Sequence, residues 1–358
     1  MSDVPSRLAE LCAAVAPVDE AARAAAHERS DGQVKPPGSL GRLEALGAQL
    51  AAIAGTSPPP VPGRPALLIA AGDHGVHAQG VTPWPQAITA AMVGAFCAGG
   101  AAANALADVV GADVRVLDVG VAADLPDHPR LVSAKVAHGT ADLTVADPMS
   151  AEEVDAAVAA GADAAAALID DGCDLLVLGD MGIANTTASA ALIAACTGAS
   201  AEVVTGRGTG IDDEMLAHKT EVVATALVRA GAAGATVAAG GSAAATLAAL
   251  GGLEHAALVG ALLTAAGARV PVVLDGVISD AAACVAVAAC PAAGGYLVAG
   301  HLSVEPGARV ALDHLGLAPL VDLDLRLGEG TGALLAVPVV RAAGAALDRM
   351  LLLADLQP

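Results

Sequence analysis

Aromatic side chains are nearly missing from this chain: its 358 residues include one Trp, one Tyr and one Phe. A single-strand nucleic-acid platform needs rings for bases to stack on, so that class is excluded. Basic residues are scarce as well. Seventeen Lys and Arg stand against 38 Asp and Glu, a formal charge of −21. So acidic a surface repels a phosphate backbone, and we expect no nucleic-acid partner. A small anionic substrate held by a few local donors is still allowed. Lysine occurs only at Lys35, Lys135 and Lys219. The six cysteines (Cys12, Cys97, Cys173, Cys196, Cys284 and Cys290) form no CxxC pair and no zinc-type Cys/His spacing. Most lie in Ala-rich apolar stretches and read as reduced, structural thiols. Met1–Cys12 lacks the basic-then-apolar order of a secretory leader, no repeat of solenoid period is visible, and the cytoplasm is the default expectation.

What is abundant is small and apolar. Hydrophobic residues make up 55% of the chain, much of it Ala, so the interior must rely on close helix approach and on Leu and Val. A chain this long buries about three quarters of its unfolded surface in one or two domains. The uncharged stretch Ala230–Leu253 is long enough to span a bilayer by count. It is mostly Ala, Gly, Ser and Thr, which insert weakly, and we expect no membrane span.

Short Leu- and Val-rich runs end in Gly- and Asp-containing turns: Pro65–Ala71, Asp113–Asp118, Asp174–Leu178, Glu202–Val204, Val270–Leu274 and Tyr296–Ala299. Between them lie long Ala/Leu segments of helical character, such as Glu152–Ile169 and Glu214–Ala233. This alternation predicts an α/β fold: a Rossmann-like, mostly parallel sheet of about six strands with helices on both faces. The stretch up to about Ala54 and the tail after Thr331 read as helical. They predict a small helical domain built from both termini (residues 1–60 with 331–358) beside a large α/β domain (residues 61–330).

The polar motifs fall at the predicted C-terminal strand ends, where open α/β sheets bind ligands. Gly179-Asp180-Met181-Gly182-Ile183-Ala184-Asn185-Thr186-Thr187 follows a strand and opens a helix. Free N–H groups there suit a phosphate or carboxylate, and Asn185, Thr186 or Thr187 could cap the helix. An ordinary capped turn would look the same. Thr205-Gly206-Arg207-Gly208-Thr209-Gly210 is richer in glycine but is neither a P-loop nor a GxGxxG fingerprint. Lys219 follows it, as a phosphate contact or as a solvated surface residue. Gly328-Glu329-Gly330 places one carboxylate between glycines. In an apolar pocket its pKa would rise, making it a useful general base; facing water it would be a plain turn residue. Asp73 and His74 read as a structural turn, since no second ligand cluster is visible in the sequence. His301, Ser303 and Glu305 match a hydrolase triad by residue type only, with no GxSxG elbow.

Taken together, these segments resemble one family over nearly the whole chain: the nicotinate-nucleotide–dimethylbenzimidazole phosphoribosyltransferases of cobalamin nucleotide-loop assembly. The matching stretches are Lys35-Pro36-Pro37-Gly38-Ser39-Leu40-Gly41-Arg42-Leu43-Glu44, Ala71–Val76, Pro85-Gln86 with Thr89, Gly179–Thr187, Gly206–Lys219, Asp275-Gly276, Gly300–Gly307 and Arg326–Gly332. The resemblance implies transfer of a phosphoribosyl group from nicotinate mononucleotide to dimethylbenzimidazole. It implies a homodimer, and no metal or redox cofactor. Glu329 matches the family's general base. Substrate binding is implied at Thr82, Trp84, Gln86, Gly179, Asp180, Gly182, Ala184, Asn185, Arg207, Gly208, Lys219, Ser303, Leu327 and Gly328. Among these, the Gly179–Ala184 turn, Lys219 and Ser303 would take the phosphate. Thr82, Trp84 and Gln86 would line the base pocket, and Arg207 and Gly208 the nucleotide. Two departures stand out. Ala184 replaces a frequent Gly, and Thr82-Pro83-Trp84 differs from the family's usual loop there. Two rival readings accompany this one: a related transferase acting on another base or a phenol, and a non-catalytic nucleotide-binding module. Glu254 and Glu305 are further carboxylates to which the sequence assigns no separate role.

Overall fold

The computed structural model describes residues 6–356. Residues 1–5 of the segment read above as lacking a leader lie outside the described residues, as do the last two residues of the tail. Six strands, β1 (Pro65–Gly72), β2 (Asp113–Gly120), β3 (Leu131–Ser133), β4 (Leu175–Met181), β5 (Val272–Leu274) and β6 (Leu297–Ala299), form one sheet. Its order is β3-β2-β1-β4-β5-β6, and every neighbouring pair is parallel. This is the doubly wound order, with its topological switch point between β1 and β4. Every residue of β1 is buried, because helices cover both faces. Alternate residues divide between two cores. Leu68, Ala70, Leu176, Leu178, Val272 and Leu274 face one, and Leu67, Ile69, Leu175, Val177 and Val273 the other.

Two strand expectations are corrected. Glu202–Val204 lies in a short helix, Ala201–Val204, entered from an extended Ser200 and left through an extended Thr205. Its two valines suggest a strand, yet Val203 is half exposed and the segment pairs with no neighbour. The sixth strand is Leu131–Ser133, a three-residue edge whose Pro- and Asp-rich approach hides it in the sequence.

In chain order the helices are α1 (Arg7–Ala14), α2 (Glu20–Asp31), α3 (Arg42–Ala54), α4 (Ile88–Ala98), α5 (Ala102–Val110), α6 (Ala151–Asp170), α7 (Asn185–Thr197), α8 (Ala201–Val204), α9 (Asp213–Ala232), α10 (Ala243–Leu250), α11 (Leu253–Gly267), α12 (Val277–Ala289), α13 (Pro306–Leu315) and α14 (Thr331–Arg349). The Ala-rich composition is used where α6 crosses α11. A Cβ on Gly161 would overlap the Ala257 carbonyl, and one on Gly260 the Val158 carbonyl. The two backbones touch, which only glycine permits. Near the termini, Gln33 donates to the Ala346 and Leu347 carbonyls at 2.8 and 3.0 Å, and Leu347 packs on Ala26, Ala48 and Ala51. We propose that residues 1–60 with 331–358 form the smaller unit on this contact.

The uncharged stretch Ala230–Leu253 is not one helix. It is divided among the end of α9, a 3₁₀ turn at Val237–Ala239 and α10. Among the described residues, three helical stretches, Ile88–Val110, Asp213–Ala239 and Thr331–Arg349, are long and apolar enough to cross a bilayer by length and composition. The first is broken between α4 and α5 and the second after α9, while the third buries its leading half on the sheet.

Candidate active site

A cleft of about 650 Å³ opens at the C-terminal strand ends beside the switch point. Its floor is the β4 turn, and its far wall is the loop entering α14. Gly328, Glu329 and Gly330 all have positive φ, at 81°, 64° and 87°. Glu329 thus holds a conformation that costs a non-glycine residue about 1 kcal/mol. Asp275, at the end of β5, over-determines it by accepting from the backbone N–H of Gly330 at 3.2 Å and of Ala333 at 3.0 Å. Thr331 Oγ1 donates to the Gly328 carbonyl at 2.8 Å. Gly179 lets this loop settle on β4, since a Cβ there would stand 2.7 Å from the Glu329 carbonyl oxygen.

Glu329 itself is 5% exposed, lines the cleft, and has no hydrogen-bond partner for Oε2. Burial pushes its carboxyl above the ordinary range; the Ala103 amide opposes this, and the charge of Asp275 adds to it. Asp180 is raised further, by burial and then by Asp275, although Asn185 Nδ2 donates to it at 2.9 Å. Asp275 is also raised by burial, against the opposing charge of His301, whose Nε2 is 3.6 Å away. Gly328 faces the Asp180 carboxylate, and Leu327 stands half exposed at the rim.

The second wall is the 205–211 loop. Lys219 is 2% exposed, which removes the solvated-surface reading. Its Nζ donates to Thr186 Oγ1 at 2.9 Å and to the Gly206 carbonyl at 3.0 Å. Burial lowers its pKa to about 8, with Glu305 opposing. Glu305 Oε1 accepts from Gly208 N–H at 2.7 Å, and Ser303 Oγ accepts from Glu305 N–H at 3.3 Å. A Cβ on Gly206 would strike the Glu305 carboxylate, so glycine is required there. Arg207 lines the space beside Lys219, but its guanidinium pairs with Asp213 and donates to the Ile211 carbonyl at 2.9 Å.

The α7 turn departs from expectation. None of Asn185, Thr186 and Thr187 caps the helix. Ala184 is its N-cap, at φ 77° and with no side-chain cap, and Asn185 turns to Asp180 instead. Gly182 packs on the Gly72 carbonyl, where a Cβ would overlap. Of the expected base pocket, Thr82 lies near this turn with Ala184, Arg207 and Lys219. Trp84 and Gln86 are not brought to the cleft: Trp84 is 48% exposed and its carbonyl accepts from His77 Nε2 at 2.9 Å, while Gln86 is half buried on the approach to α4.

Asp275, His301, Glu305 and Thr186 also line the cleft, with no substrate-binding role expected of them from the sequence. Their only local signal is position, at or just beyond a strand end beside glycine. The suggested hydrolase grouping is absent, because His301 faces Asp275 while Ser303 and Glu305 hold the opposite loop. The reading of Asp73–His74 without a partner cluster is also corrected: His74 meets Glu254 and His255 in the interior.

Comparisons with known proteins agree with this architecture. A family model described as phosphoribosyltransferase matches residues 15–356. The chain is 53% identical over 345 residues to a nicotinate-nucleotide–dimethylbenzimidazole phosphoribosyltransferase of Salinispora tropica, covering 92% of this chain and 93% of the relative. It is 49% identical to a protein of the same name from Chloroflexus aggregans, covering 95% of each. The crystal structure of CobT from Thermus thermophilus superposes with a TM-score of 0.89 at 46% identity, covering 93% of this chain and 98% of that one.

Proposed function

We propose, for a chain that belongs to the nicotinate-nucleotide–dimethylbenzimidazole phosphoribosyltransferase family, that it moves the 5-phosphoribosyl group of nicotinate mononucleotide to 5,6-dimethylbenzimidazole. The products are α-ribazole 5′-phosphate and nicotinate. The observation that carries the catalytic assignment is Glu329: a buried carboxylate, unpartnered at Oε2, aimed into the cleft by a strained turn. Nicotinate leaves from a pyridinium and departs with its ring nitrogen neutral, so the leaving group needs little acid help. One benzimidazole nitrogen forms the new C–N bond as the old one breaks, and the other ring nitrogen loses its proton. Glu329 takes that proton. A raised pKa suits it to hold the proton near neutral pH.

The rest of the cleft positions the donor. Lys219, Ser303 and the Gly179–Ala184 turn are the groups for its phosphate. Arg207, Gly208, Leu327 and Gly328 flank the nucleotide. Thr82 belongs to the acceptor side. We further propose that the enzyme works as a homodimer, on the resemblance alone, with the cytoplasm as the default location. Glu329→Gln tests the reading. Its turnover should fall by about 10²- to 10⁴-fold, the usual worth of a general base, while nicotinate mononucleotide binding measured by calorimetry stays near wild type. Unchanged turnover would remove Glu329 from the role.

A further inference from the structure

Behind the cleft lies a cluster with no part in the chemistry above. His74, Glu254 and His255 are at most 1% exposed. Glu254 Oε1 accepts from His74 Nε2 at 2.7 Å and stands 2.8 Å from His255 Nδ1. Two imidazoles and a carboxylate invite a metal reading, but the distances oppose it. Two atoms bound tetrahedrally to one ion at about 2.1 Å stand about 3.4 Å apart. The 2.7 Å separation of His74 and Glu254 is that of a hydrogen bond, and the 2.8 Å approach of His255 Nδ1 to the same oxygen is also too short for two ligands of one ion.

The far side of His255 reaches α7. Its Nε2 lies 2.8 Å from Ser189 Oγ, and that hydroxyl donates to the Asn185 carbonyl at 2.9 Å. Glu254 on one side and Ser189 on the other thus flank the His255 ring. Asn185 Nδ2 in turn donates to Asp180, and both residues line the cleft. Carboxylate, imidazole and hydroxyl stand in the order of a nucleophile triad, yet Ser189 is fully buried in mid-helix and reaches no substrate. The N-cap of the same helix, Ala184, sits at φ 77° with no side-chain cap.

We propose that Glu254, acting through His255 and Ser189, is a positioning residue that fixes the first turn of α7 for the phosphoribosyl donor. The relay adds from α11 a restraint on a helix whose N-cap makes no side-chain bond. This inference rests on the proposed function for its substrate, but not for its structural half.

Ser189→Ala tests it, since alanine keeps the helix and deletes the link. The KM for nicotinate mononucleotide should rise on the order of tenfold, while the KM for dimethylbenzimidazole stays within about twofold. Amide hydrogen exchange over residues 183–189 should quicken by about tenfold. A merely structural loss would lower the active fraction and leave both KM values alone. Position 255 separates the two links. The side-chain nitrogen of Gln falls near imidazole Nε2 and that of Asn near Nδ1, so His255→Gln keeps the Ser189 contact and loses Glu254, while His255→Asn keeps Glu254 and loses Ser189; a relay that needs both links makes each resemble Ser189→Ala in donor KM and exchange. Glu254→Gln combined with Ser189→Ala should be non-additive. Unchanged exchange and donor KM in Ser189→Ala, or wild-type donor KM and exchange in His255→Gln or His255→Asn, would overturn the relay. An inactive wild type would instead overturn the proposed function, and the exchange data would still decide the relay.

Discussion

Single residues in this protein are tuned by burial more than by pairing. Glu329, Asp180, Asp275 and Asp280 all have carboxyls raised first by desolvation. For Glu329 the consequence is kinetic. The base must be ionised, so kcat/KM should fall as pH drops through an inflection above the 4.5 of an ordinary Glu. A pH–rate profile flat through that region would contradict the assignment. For Lys219 the sign is opposite. It carries its charge below about 8, so affinity for nicotinate mononucleotide should weaken as pH rises past that value, measured calorimetrically. Asp280 gives a stability test. It is 1% exposed and both of its oxygens lack partners. A folded-state pKa raised above the unfolded one favours folding at low pH and loses that contribution as pH rises. Asp280→Asn should therefore remove a fall in Tm that begins in wild type as pH rises past the ordinary Asp value of 3.8.

The glycines beside Glu329 made its turn legible in the sequence. Asp275 was not legible as the anchor of that turn, because it lies 55 residues away and its contact is to backbone. The partners of Glu254 were hidden for the same reason, since His74 is 180 residues distant.

At the scale of elements, backbone contact sets the rules. Alanine at Gly161 gains about 1 kcal/mol of helix propensity, but its Cβ overlaps a carbonyl of α11 that cannot rotate away. Overpacking costs about 1–3 kcal/mol, and here the upper end applies, so Gly161→Ala should lose about 2 kcal/mol net in urea denaturation. The α7 N-cap offers the complementary case. Ala184→Gly relieves the left-handed strain but adds unfolded-state entropy of similar size, so stability should change by less than about 1 kcal/mol. Ala184→Val, β-branched in a region hostile to it, should cost about 2 kcal/mol or more. Long periodic helices such as α6 and α9 were readable to within a residue or two of their ends. The four residues of α8 were not, because two valines outweigh one turn of helix in any local pattern.

For the whole molecule, strand–helix alternation was enough to give a parallel sheet with ligand-binding strand ends. Strand order was not encoded locally; it follows from which apolar faces the helices cover. With β1 and β4 adjacent, the chain reverses its winding beside the Glu329 turn, and that reversal opens the cleft. A surface at −21 overall leaves the donor phosphate dependent on a few buried groups, Lys219 foremost among them.

The most direct test of the account is product analysis. Purified protein is incubated with nicotinate mononucleotide and dimethylbenzimidazole, and both possible products are followed by liquid chromatography and mass spectrometry. The account predicts nicotinate and α-ribazole 5′-phosphate appearing together in equal amounts. Nicotinate released without the riboside, or no reaction at all, would contradict it.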